Sequence, residues 1–107
     1  MPMLKIKGIK ESEILKESKD LIDELEVIIG CPRDYFTIEL IKSNFIMDGK
    51  KVLAPCMVEV AWFDRGQDIQ DKVAKVITKY LKKDNKCLDV IFYKLSENDY
   101  YENGEHF

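Results

Sequence analysis

At 107 residues, with 46% apolar and 35% charged side chains, the chain has the size and composition of one domain with a modest core. Its formal charge is −3, from 17 Lys and Arg against 20 Asp and Glu. These charges are interspersed and form no basic face for a phosphate backbone, so a nucleic-acid partner is not expected. No apolar run approaches the ~18 residues of a membrane span, and the lysine-broken start does not read as a signal peptide.

The chain opens MPMLKIKGI, which alternates like a β-strand over Met3–Ile9. Proline has no amide hydrogen for a ladder, and is tolerated at the first position of a strand. Pro2 has a second reading: if Met1 is removed, it presents a free secondary amine.

A helix is predicted over Glu11–Gly30, where Ile14, Leu15, Leu21, Ile22, Leu25, Ile28 and Ile29 trace one face. Ser12 is the expected cap, Gly30 suits the C′ position, and Pro32 follows. The next strand is expected at Tyr35–Lys42. The insert SNFIMDGKKVLAPC, residues 43–56, carries Asp48-Gly49, a strong hairpin signal. A strand at Met57–Phe63, a helix at Gln67–Lys83 and a strand at Leu88–Leu95 complete the pattern. The second helix has Asp68 and Asp71 in its first turn and Lys82 and Lys83 in its last, which suits the helix dipole.

Residues 3–42 and 57–95 therefore look like one β-α-β unit used twice. Right-handed crossovers would place both helices on one face of a four-stranded mixed sheet. Leu4, Ile6, Phe36, Ile38, Leu40, Val58, Val60 and Trp62 are assigned to one face. Met3, Ile9, Ile41, Ala61, Phe63, Ile91 and Tyr93 give the other an apolar share, which points to a symmetric oligomer. The tail SENDYYENGEHF, residues 96–107, is polar, yet its aromatics argue that it packs, as a strap across a neighbouring subunit or with Tyr100, Tyr101 or His106 reaching a pocket.

Cys31, Cys56 and Cys87 form an odd set without CxxC spacing and read as reduced thiols of a cytoplasmic protein. With His106 as the sole histidine, no familiar zinc pattern arises. Neither a metal nor another cofactor is expected.

The Met-Pro start, PMLKI, the GCPRDYFTIEL turn and strand, and APCMVEVAWF, in this order, resemble the tautomerase superfamily. The resemblance is nearest to the architecture of macrophage migration inhibitory factor and covers nearly the whole chain. WFDRGQ and the ending YYENGEHF resemble a group of short bacterial proteins of unknown function with this fold. The resemblance implies an α+β, β-α-β-β-α-β domain spanning 1–107, assembled as a homotrimer.

It also implies a proline base acting on a small anionic carbonyl substrate. Burial and a nearby cation would pull the amine's pKa below the ordinary ~8, which suits general acid–base catalysis. A secondary amine can also attack carbonyls covalently.

Arg65 is the expected clamp for a carboxylate or an enolate oxygen, unless it is a turn arginine paired to Asp64 or Asp68. Arg33 is a weaker substrate-binding candidate, with a surface pair to Asp34 as its alternative. Trp62 and Phe63 end the strand on opposite faces, so one of them is expected at the pocket mouth, with Phe63 the substrate-binding candidate. Tyr100, Tyr101 or His106 is the candidate acid. Cys31 stands where the resemblance implies a lysine, and Val90 and Phe92 where it implies a tyrosine and an asparagine. The other function class is a non-enzymatic oligomeric ligand-binding or regulatory module. The ferredoxin-like fold shares the element order but places another strand between the parallel neighbours.

Overall fold

The computed structural model describes all 107 residues. Alternation at the start of the chain gives β1, Met3–Lys7, with Leu4 and Ile6 buried and Lys5 exposed between them. Gly8 then turns the chain at φ +77, and a Cβ built there would lie 2.2 Å from the carbonyl oxygen of Pro55. Both the backbone angle and the close approach require glycine. Gly8→Ala is therefore expected to cost at least ~2 kcal/mol, from left-handed strain and a clash with backbone. A urea titration that left the unfolding midpoint unchanged would refute this.

Helix α1 spans Glu11–Ile29 and buries Ile14, Leu21, Ile22 and Leu25, as its 3.6-residue spacing dictates. Ser12 does not cap it; Lys10 occupies the N-cap position with no side-chain cap bond. Gly30 closes the helix in the left-handed conformation, and its N–H donates to the carbonyl of Glu26. A single 3₁₀ turn, Arg33–Tyr35, takes up the start of the predicted second strand, so β2 is only Thr37–Leu40.

The insert is a hairpin of β3, Phe45–Met47, and β4, Lys50–Val52. Asp48 (φ 52) and Gly49 (φ 75) form its two-residue turn, both with the positive φ of a type I′ connection. β5 (Met57–Trp62), α2 (Gln67–Leu81) and β6 (Asp89–Lys94) repeat the first unit.

The sheet order is β2-β1-β5-β6. β1 is parallel to β2 and β5 to β6, while the central pair β1 and β5 is antiparallel. Parallel strands within each unit are direct neighbours, which rules out the ferredoxin-like arrangement. Leu4, Ile6, Val58, Val60 and Trp62 pack against Leu21, Leu25, Val73, Ile77 and Leu81 in one core between the sheet and the helices.

Ile9 belongs to this core, 6% exposed, and not to the far face. The turn at Gly8 breaks the strand's alternation before Ile9 and redirects its side chain. The far face is more charged than its apolar members suggested: Lys5 is registered opposite Glu59, and Lys7 lies 3.5 Å from Glu59.

The tail forms a second hairpin, β7 (Tyr101–Glu102) and β8 (Glu105–His106), around Asn103-Gly104. It folds back against its own domain through Tyr100 and Phe107, both of which contact Phe63.

Candidate functional site

The strand directions gather separate segments at one end of the sheet. Because β1 runs antiparallel to β5, Met3 lies opposite Ala61, and the chain start sits beside the end of β5. The Thr37 N–H donates to the Pro2 carbonyl at 3.1 Å, which brings the turn before β2 alongside. At the other flank the Leu95 N–H donates to the Trp62 carbonyl at 2.7 Å, which leads the chain after β6 to the same rim. The tail hairpin closes that rim. The Phe107 N–H donates to the Tyr100 carbonyl at 3.0 Å, and the two rings stack 4.9 Å apart. Each of these rings also lies 5.7 Å from that of Phe63.

The result is a pocket of about 310 Å³ lined by Met1, Cys31, Tyr35, Phe63, Arg65, Glu97 and Phe107. A larger groove, about 470 Å³, lies at the opposite end of β1 between Gly8–Glu11, Leu40–Ser43 and Leu53–Ala54. It contains neither a terminal amine nor a thiol, so the smaller pocket is the chemically equipped one.

Arg65 stands between the end of β5 and the first turn of α2. Its Nη1 donates to the Phe63 carbonyl at 2.5 Å, and its guanidinium carbon lies 5.6 Å from the centre of the Trp62 ring. It pairs with neither Asp64 nor Asp68. Asp64 instead accepts from the Gly66 N–H at 2.9 Å and faces Lys94 at 3.5 Å. Arg65 is thus held by backbone and ring, with its charge not spent on a carboxylate.

The Met1 amine is depressed below its ordinary value of 8.0, by burial first and then by Arg65. Burial pushes the Cys31 thiol up from 9.0, against the pull of Arg65 and the amine. Both shifts run toward the neutral form of the group.

Of the residues expected to form a site, Phe63 and Arg65 line this pocket, and Pro2 is fully buried directly behind Met1. Arg33 lies outside it. The 3₁₀ turn sends its side chain back onto α1, where it meets Asp23 at 2.6 Å and Glu26 at 3.7 Å rather than Asp34. The Asp23 carboxyl is held low by Lys19 and by Arg33. Tyr101 and His106 are exposed and face each other across the tail hairpin, rings edge-on at 5.8 Å, away from the pocket. Val90 and Phe92 pack against the core, Phe92 on Trp62 at 5.1 Å.

Tyr35, Glu97 and Phe107 went unrecognised as lining residues. Asn103-Gly104 was the available signal for Phe107, since a hairpin there must return the chain end.

Two parallel β-α-β units joined through an antiparallel central pair form a fold that recurs in solved structures of low identity. The chain belongs to the family described as Domain of unknown function (DUF1904), which it matches over residues 1–106. A DUF1904 structure from Sebaldella termitidis ATCC 33386 is 38% identical, covers 100% of both chains and superposes with a TM-score of 0.90. A macrophage migration inhibitory factor homologue from Prochlorococcus marinus is similar at 15% identity over 98% of each chain, with a TM-score of 0.73. A fused 4-OT symmetric trimer is similar at 19% identity over 98% of this chain and 94% of its own, with a TM-score of 0.67. No curated protein matches.

Proposed function

We propose that the chain, with Met1 removed, is a small tautomerase or isomerase acting on an anionic carbonyl compound, with Pro2 as the base. The observation that carries this reading is the chain start set beside a guanidinium with no carboxylate partner, in a pocket walled by aromatic rings.

The free Pro2 amine would inherit the burial and the Arg65 field that now depress the Met1 amine, which favours an unprotonated base near neutral pH. It would remove a proton α to the carbonyl and return it elsewhere on the enol. Arg65 would hold the substrate carboxylate or take up charge on the enolate oxygen.

Arg65→Gln is expected to raise KM by about ten- to a hundredfold, from loss of a charge-assisted bond worth ~1.5–3 kcal/mol. Steady-state kinetics on a series of 2-oxo acids measures it, and an unchanged KM would remove Arg65 from the site.

The reading is tested by intact mass followed by NMR titration of the Pro2 nitrogen. A lowered amine pKa means that kcat/KM rises with pH through a midpoint below that of an ordinary amine. An amine titrating at its ordinary value would end the proposal.

Self-association as a trimer belongs to the same proposal. The β3–β4 hairpin pairs only with itself and exposes Ile46, Met47 and Leu53, the last at 95%. Such apolar exposure marks an interaction surface.

A second reading, a ligand-binding module without turnover, is favoured by one observation. Val90 and Phe92 supply no polar group to the pocket, so any proton donor must come from elsewhere.

A further inference from the structure

We propose that the same pocket is a capture site for small anionic aldehydes, with Pro2 and Cys31 closing together on the aldehyde carbon as an N,S-acetal. This inference rests on the proposed exposure of the Pro2 amine and adds a role for Cys31 that tautomerisation does not need.

The argument starts from placement. Gly30 ends α1 and delivers Cys31 to the rim where the chain begins, and Met1 and Cys31 both line the pocket. The Met1 amine and the Cys31 thiol lie close enough that each bears on the other's protonation. Pro2 is the next residue in, so loss of Met1 would place its nitrogen facing the same thiol. Arg65, uncommitted to any carboxylate, adds an anchor for an anion on the same wall. A nucleophilic amine, a thiol and a cation around a pocket of about 310 Å³ leave room for a small anionic aldehyde.

The chemistry balances without an oxidant. The secondary amine adds to the aldehyde carbon; the resulting carbinolamine takes up a proton and loses water, leaving an iminium. The thiol sulfur then bonds to that carbon, the carbon–nitrogen double bond becomes single, and the thiol proton leaves to solvent. The net change is the gain of the aldehyde less one water. Burial keeps Cys31 protonated, so the amine acts first and the thiol acts on the more electrophilic iminium. An aldehyde leaves a hydrogen on the bridging carbon. A ketone would crowd it with two carbon substituents, so keto acids pass through while aldehyde acids are retained.

The test uses the chain confirmed by intact mass to begin at Pro2, incubated with glyoxylate, with and without cyanoborohydride. Without reductant, the expected product gains glyoxylate less water and survives acid dilution, which hydrolyses simple lysine imines. Peptide mapping then shows the N-terminal peptide cross-linked to the one containing Cys31. Cys31→Ser should lose this adduct, yet yield reduced N-terminal alkylation when cyanoborohydride is present.

If wild type and Cys31→Ser both require the reductant, the acetal is overturned while the Pro2 amine remains reactive. If both keep the adduct without it, Cys31 is not the second nucleophile. If neither N-terminal peptide is modified even with reductant, the inference and the amine reading fall together.

Discussion

Retention of Met1 is expected to lower kcat/KM for enol–keto conversion of a 2-oxo acid by about 10²- to 10⁴-fold, the range contributed by a positioned general base. With Met1 in place the Pro2 nitrogen is an amide without a basic lone pair, and Met1 stands between Pro2 and the pocket it lines. Paired preparations, one made with the methionine aminopeptidase inhibited and both checked by intact mass, allow a direct comparison by ultraviolet absorbance. Processed Pro2→Ala keeps a terminal amine, so its residual rate separates amine chemistry from the proline ring. Equal rates for the blocked and processed chains would mean that the N-terminal nitrogen performs no step.

Trp62→Ala is expected to cost about 3–5 kcal/mol, a large share of the ~5–15 kcal/mol available to an ordinary domain. Trp62 is fully buried at the end of β5, tilted against Phe92 and beneath the Arg65 guanidinium. Removing it opens a core cavity and withdraws the ring on which Arg65 rests. Trp62→Phe should be much milder. The indole Nε1 is buried without a hydrogen-bond partner, so losing that donor offsets part of the lost volume. Urea midpoints at constant protein concentration measure both variants. Similar losses for the two would indicate that the indole nitrogen has a partner after all.

The element order, the Asp48-Gly49 hairpin and most of the core were legible because each rests on local periodicity. Val58, Val60 and Trp62 alternate with Glu59 and Ala61, and the helical faces repeat at 3.6 residues. The misreadings came where a single backbone feature overrides the period. Gly8 turned Ile9 into the core, and the 3₁₀ turn at Arg33–Tyr35 shortened β2 and aimed Arg33 at α1.

The site was less legible than the fold. Arg65 and Phe63 could be placed because they follow directly from the end of a strand. Glu97 and Phe107 reach the pocket only through the pairing of β5 with β6 and the fold-back of the tail, relations between distant segments that no local pattern records.

Pro2 is buried just before the central strand β1, and under the proposed removal of Met1 that burial sets a clock on the nascent chain. β1 lies between β2 and β5, and β5 begins only at residue 57. At ~5–20 residues per second, those residues take roughly 3–11 s to synthesise. During that interval the N-terminus has no antiparallel partner and is open to an aminopeptidase. Once β5 docks, the Met1–Pro2 bond lies at a rim crowded by Cys31, Arg65 and Phe107. Translation speed over the first half of the message would then set what fraction of molecules carries a free proline, before any substrate is met.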